Sequence, residues 1–139
     1  MKSYLIRLSL VLSLGVNVGS AAQAASCGTL HALAQAHAND MARRESLDHA
    51  GFFSERGPRG AMAENVAVGC KSEACAREVW MNSPPHRANM MLGGCQAVAS
   101  AVSKSGRRYW AMEIGGSAVT TRRSARVYAG PAVDRETGR

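Results

Sequence analysis

Beyond its first twenty-odd residues the chain has no apolar run long enough to cross a bilayer. It also has no internal repeat, no H-E-x-x-H segment, no repeated C-x-x-C pair and no serine in a recognisable nucleophile elbow. These absences exclude a multispan membrane protein, a solenoid, the commonest local zinc signatures and a hydrolase-type catalytic serine. With 139 residues there is room for one domain and not for several. Acidic residues are scarce, ten Asp and Glu against 17 Lys and Arg, a net charge of +7. Such a balance invites a nucleic-acid reading. Aromatics make up only 5% of the chain and are not interleaved with the basic residues, however, and no helix-turn-helix or finger spacing occurs, so no nucleic-acid partner is expected. A hydrophobic content of 46% excludes a wholly disordered chain.

The N-terminus has a secretory pattern: Lys2 and Arg7, then the uncharged and mostly apolar stretch Leu8 to Val18, then the small residues of Ala22-Gln23-Ala24. Residues 1–24 are read as a cleaved signal peptide, which leaves no transmembrane anchor and predicts a secreted or periplasmic protein. Cys27, Cys70, Cys75 and Cys95 all follow that segment, and an even number in an oxidising space implies two disulfides. Three pairings are possible; Cys70 with Cys75 and Cys27 with Cys95 is the one expected here. The short loop would contribute about 2 kcal/mol and the long one about 4 kcal/mol on the chain-entropy model.

Between Thr29 and about Glu45, Leu30, Leu33, His37, Met41 and Arg44 recur at helical spacing. Residues 51–60, with three Gly and a Pro, read as a loop, and AMAENVAVG follows as an apolar run broken by Glu64 and Asn65. A second helix is predicted over 73–82. A third is announced by Ser83 as N-cap and Pro84 as first helical residue, with Gly93 as the stop. Gln96 to Val102 and Arg108 to Ile114 form a predicted hairpin. Residues 117–139 show no sustained periodicity and read as a basic, mobile or loosely docked tail.

Chemistry concentrates on a few residues. A carboxylate flanked by Ala and Val, as Glu64 is, must find its partner in space, and His49 and His86 are available to supply one. His86 near a helix N-terminus tends to stay neutral, the form that binds metal. Two His and a Glu can hold a divalent ion or act as acid and base, but hydrogen-bonded structural roles account for the same residues equally well. His37 lies on the buried stripe of the first helix, as a satisfied core histidine or facing the same cavity; His31 is placed on the surface.

The succession HANDMARRESLDHAGF, AENVAVG, REVWMNSPPHRANMM and RRYWAMEIGG resembles the SCP domain of the CAP superfamily (cysteine-rich secretory proteins, antigen 5 and pathogenesis-related 1), especially its short secreted bacterial members. The resemblance covers about residues 29–116. It implies an α+β fold, a three-layer α-β-α sandwich with a small antiparallel sheet, over residues 25–116. It also implies a cleft lined by two His and two Glu that in some members binds zinc or another divalent cation. His49, Glu64 and His86 match three of the four. Ser83 stands where the second Glu belongs and Ala63 where a Gly precedes Glu64, so the cleft set is His49, Glu64, His86, Ser83 and His37, with His49 and His86 as the metal pair. Asn65 and Trp80 look structural, and Arg87 and Asn89 brace the His86 segment.

No one activity defines that superfamily. The expected function is a secreted, monomeric binding or interaction module whose cleft takes a metal ion and a small apolar or cell-envelope ligand. The alternative is a metal-dependent hydrolase in which His49 and His86 hold zinc and Glu64 activates water. The charge is concentrated away from the cleft: residues 117–139 carry five Arg against Asp134 and Glu136, while 25–116 hold ten basic and eight acidic residues. Contact with anionic surfaces through the tail should therefore weaken steeply as salt is raised in a vesicle co-sedimentation assay, and binding indifferent to ionic strength would count against it.

Overall fold

The computed structural model describes residues 25–116, 128–129 and 132–134. The expected signal peptide and the greater part of 117–139 lie outside the described residues. Helix α1 spans Cys27–Arg44, starting two residues before the periodic stripe because Ser26 caps it, its side chain accepting a hydrogen bond from the Thr29 N–H. Glu45 ends the helix in the left-handed region at φ 52°, and its carboxylate accepts from the Ser105 N–H at 2.9 Å. The Gly-rich segment that follows is more ordered than a plain loop. Phe52–Arg56 forms a π-helical turn in which the Arg56 and Gly57 N–H groups donate to the Gly51 and Phe52 carbonyls.

Strand β1 is Ala61–Val68, α2 is Glu73–Met81 and α3 is Pro84–Met90. The hairpin strands are β2, Cys95–Val102, and β3, Arg108–Gly115. β3 is central, antiparallel to β2 on one side and to β1 on the other, in the order β2-β3-β1. Both faces of β1 and β3 are covered. On one face α1 contributes Ala34, Ala38 and Met41 to a cluster with Val66, Val68, Tyr109 and Ala111. On the other, Trp80 of α2 and Met90 of α3 pack against Ala63, Ala67, Trp110, Met112 and Ile114. The α-β-α layering that the resemblance implies is thus the architecture observed. Because neighbouring strand residues point to opposite faces, each layer draws on alternate positions of the same strands. Backbones approach closely at the end of the sheet: a Cβ on Gly115 would lie 2.4 Å from the Gly60 carbonyl oxygen, so only glycine fits.

Two pieces of the segment read as a tail belong to the sheet. β4, Tyr128–Ala129, and β5, Val133–Asp134, run parallel to β1, pairing Ala63 with Tyr128 and Ala67 with Val133. They cover part of an edge that would otherwise present unpaired backbone groups, and Ala132 packs on the α1-side cluster. Two-residue strands are too short to show periodicity, which is why the sequence does not mark them. No helix among the described residues is long and apolar enough to cross a membrane.

Both disulfides form as expected. Cys27–Cys95 ties the start of α1 to the start of β2 across a sequence separation of 68, and Cys70–Cys75 closes a separation of 5 at the head of α2. Loop-closure entropy predicts unequal losses: replacing both Cys27 and Cys95 by Ser should cost about 4 kcal/mol in urea unfolding, and the same change at Cys70 and Cys75 about 2 kcal/mol.

Candidate functional site

The site grows from a single register position. Glu64 lies in the middle of β1 and is fully buried, and the antiparallel pairing sets Glu113 of β3, also fully buried, directly opposite it. Both side chains point to the α1 face. Like charges facing each other across a ladder repel, and neither has water to screen it. Arg56 relieves this. The π-turn, entered through Gly51 at φ 76°, directs its side chain inward, where it is 5% exposed. Its Nε donates to Glu64 Oε2 at 2.6 Å and its terminal nitrogen to Oε1 at 3.1 Å, a bidentate pair. Nε also lies 3.0 Å from Glu113 Oε1. That N–H is aimed at Glu64, however, so Glu113 feels the charge and accepts no N–H hydrogen bond from the described residues.

The two carboxyls divide their protons unequally. Burial alone would raise the Glu64 pKa, but hydrogen bonds from His49, Glu113 and Arg56 outweigh it and hold this carboxyl below its usual range. Burial pushes the Glu113 carboxyl far up, and the adjacent Glu64 charge adds to the effect. Glu113 therefore keeps its proton, leaving one anion against one guanidinium.

His49 completes the group, its Nδ1 donating to Glu64 Oε1 at 2.6 Å. The turn that carries it is clamped by Asp48, whose carboxylate accepts from Arg44, the Ser46 hydroxyl and the Ala50 N–H; Arg44 above all depresses its pKa. His49 Nε2 is buried and makes no hydrogen bond to a described residue. His37 of α1 donates through Nε2 to the Asp48 carbonyl at 2.9 Å and lies 3.7 Å from Glu64. Burial lowers its pKa against the pull of Glu64, which keeps the ring neutral. His37 and Arg56 line a cleft of about 330 Å³ between α1 and residues 50–59, together with Leu33, Ala36, Asp40, Ala50, Gly51, Glu55 and Arg59. His31 is exposed on α1.

His86 and Ser83 occupy the other side of the sheet. Asn65, the neighbour of Glu64, points there and donates to the His86 carbonyl at 3.1 Å; Asn89 donates to Asn65 Oδ1 at 2.9 Å and to the Glu64 carbonyl at 3.3 Å. Ser83 sits at the N-cap position of α3, yet its hydroxyl does not cap the helix; it is hydrogen-bonded to His86 Nδ1 at 2.7 Å. Arg87 donates to the Met81 carbonyl, and Trp80 Nε1 to the Val66 carbonyl. Of the five cleft residues read from the sequence, the structure gathers His49, Glu64 and His37, and holds His86 and Ser83 together on the α3 side. A divalent ion on His49 and His86 does not fit this arrangement. Glu64 has both oxygens engaged, His86 is anchored elsewhere, and among the described residues no three His, Cys, Asp or Glu side chains are placed to hold a metal ion.

Arg56 and Glu113 are the residues missed by sequence reasoning. Glu113 carried the same signal as Glu64, a lone carboxylate in an apolar strand. Arg56 had none, since a basic residue among glycines reads as solvated.

The proton inventory predicts the pH dependence of stability. Glu64 and Asp48 are depressed, so their contributions are present above the ordinary carboxylate values and lost as pH falls through the folded ones. Glu113 is raised, so above about pH 4.5 the unfolded chain releases a proton that the folded one retains, and stability falls as pH rises. His37, lowered from 6.5, opposes this trend up to that pH. Urea unfolding should therefore show a decline above about pH 6.5, by up to about 1.4 kcal/mol per pH unit, that Glu113→Gln abolishes. Glu64→Gln alone passes the anion to Glu113; combined with Glu113→Gln it leaves Arg56 buried without a counter-ion, at a cost of about 3–5 kcal/mol.

Comparison with known proteins agrees with this architecture. No curated protein and no solved structure matches the chain. One family model does, that of the cysteine-rich secretory protein family, over residues 24–114. That span takes in α1, the clamp on His49, the Arg56 turn, β1, β2, all but the last residue of β3, and both disulfides. The chain belongs to the CAP, or cysteine-rich secretory protein, family.

Proposed function

We propose that this protein is a secreted binding module whose ligand enters the cleft between α1 and residues 50–59. The observation that carries the reading is the contrast between that cleft and the charged group beneath it. The groups best suited to chemistry, Glu64, Glu113 and Arg56, are buried and engaged with one another, whereas the cleft above them is open and mixed in character. Leu33, Ala36 and Ala50 offer apolar wall; His37, Asp40, Glu55, Arg56 and Arg59 offer polar and charged groups. Its volume of about 330 Å³ is at the small end for ligand pockets and suits the head and first carbons of an amphiphile such as an envelope lipid. The two disulfides agree with an oxidising compartment outside the cytoplasm.

A hydrolytic reading has one observation in its favour. His49 is oriented by a carboxylate through Nδ1 and presents a buried Nε2 with no described partner, the arrangement of a general base. A metal-dependent form using His49, His86 and Glu64 would need His86 to reach the other two, and its anchorage on Ser83 argues against that.

Titration with a short-chain lysophosphatidylcholine, kept below its micellar concentration and followed by amide chemical shifts, tests the binding reading. Shifts should concentrate at Ala36, Ala50, Gly51 and Arg59. Ala36→Trp, which fills the cleft from an exposed position, should weaken binding at least tenfold. Shifts elsewhere, or binding untouched by Ala36→Trp, would reject it. Hydrolysis of casein that His49→Ala removes would favour the enzymatic reading instead.

A further inference from the structure

At the end of β1 that leads into α2, away from the cleft, a second cavity of about 340 Å³ lies between residues 69–71 and the β2–β3 turn. Lys71, Arg107 and Arg108 line it together with Val102 and Gly106, and among the described residues no carboxylate does. Like charges gathered by two loops repel one another, and an anion between them would remove that repulsion. We propose that this cavity is a phosphate site, taking a phosphate group esterified to a small carbon framework.

The two walls are tied into one unit. The Gly69 N–H donates to the Arg108 carbonyl at 3.0 Å, Trp110 Nε1 donates to the Cys70 carbonyl at 2.8 Å, and the Cys70–Cys75 disulfide closes the loop that carries Lys71. Arg108 is held in place before any ligand arrives. Its guanidinium carbon lies over the Trp110 ring, 5.8 Å from the centroid, and Nη1 donates to Ser100 Oγ at 2.9 Å. It forms no ion pair with a described carboxylate. Lys71 is exposed and has neither a hydrogen bond nor an ion pair with a described residue. Acidic residues on flanking elements are engaged elsewhere: Glu73 accepts from Arg77 Nε at 2.7 Å, and Glu45 accepts from the Ser105 N–H at 2.9 Å and feels the charge of Arg107. What remains for a ligand is a guanidinium fork, suited to two phosphate oxygens, and an ammonium acting as a point charge. Val102, 51% exposed, adds an apolar contact, and the volume exceeds what a bare oxyanion needs, so the phosphate is read as part of a larger molecule. The inference does not depend on which ligand fills the cleft.

Titration of the full chain with glycerol 3-phosphate in about 150 mM NaCl, followed by amide chemical shifts, tests it. Shifts should saturate and centre on Lys71, Gly106 and Arg108. Lys71→Gln and Arg108→Gln should each weaken binding about tenfold, and Val102→Asp, which sets a carboxylate on the rim, should abolish it. Arg87→Gln, which removes an exposed charge outside the cavity, should leave the affinity unchanged. Inorganic phosphate should bind through the same residues but more weakly. Vesicles of phosphatidylglycerol separate two sources of the group: co-sedimentation that Val102→Asp removes, without binding of the soluble ester, would support the site with a lipid headgroup as its phosphate. Lys71 is exposed and makes no contact that its loss would break, so Lys71→Gln and Val102→Asp decide the matter should Arg108→Gln fail to fold. The proposal would be overturned by absence of saturable binding to either probe, by inorganic phosphate binding as tightly as the ester, or by an equal loss of affinity in Arg87→Gln and Lys71→Gln.

Discussion

The bidentate pair between Arg56 and Glu64 is the interaction on which the rest of the site depends. Neither partner has access to water, and either alone would be a buried uncompensated charge, so each exists in the fold only because of the other. The pair links a loop to a strand: it fixes the π-turn at residues 52–56 against β1 and thereby sets one wall of the cleft. It also decides the state of the groups around it. Glu113 stays protonated because burial disfavours its anion and the adjacent Glu64 charge adds to the effect, and His49 approaches Glu64 at Oε1. A local ion pair thus determines loop position, proton distribution and ring orientation together.

Much of the fold could be read from local pattern. The apolar stripe of α1, Ser83-Pro84 before α3, and the hairpin strands each carry their information within a few residues, and the structure departs from those readings only at element ends. α1 begins at Cys27 because Ser26 caps it, a short-range signal weaker than the stripe it precedes. Less of the site was legible, and the reason is geometric. Glu64 and Glu113 meet through a register set by an entire sheet, and Arg56 reaches them only because a Gly-rich segment coils into a π-turn instead of looping outward. Family resemblance gave the positions of His49 and Glu64 but pointed to Ser83 as the gap in a four-residue set. A different carboxylate, Glu113, is supplied from β3 on the α1 face.

Membership of the CAP family accounts for the scaffold and leaves the chemistry to this chain's own residues. The side chains with the strongest electrostatic demands satisfy one another below the cleft, and what faces a ligand is a smaller set: a neutral histidine, one edge of the guanidinium, a mixed rim and a short apolar wall. That division separates what holds the site together from what touches a ligand.

The adjacent polar residues Glu64 and Asn65 have a further effect on β1. The strand reads Ala-Met-Ala-Glu-Asn-Val-Ala-Val and is buried on both faces, so its apolar residues are nearly interchangeable between the two helical layers. Hydrophobicity alone would let such a strand slide by one residue at little cost. A slip of that size would carry the carboxylate into the α3 layer, away from Arg56, and the amide into the α1 layer, away from the His86 carbonyl. Each residue is complementary to one layer only. The two polar side chains therefore act as a key that fits in one alignment, and the precision of the sheet rests on the residues that are most expensive to bury.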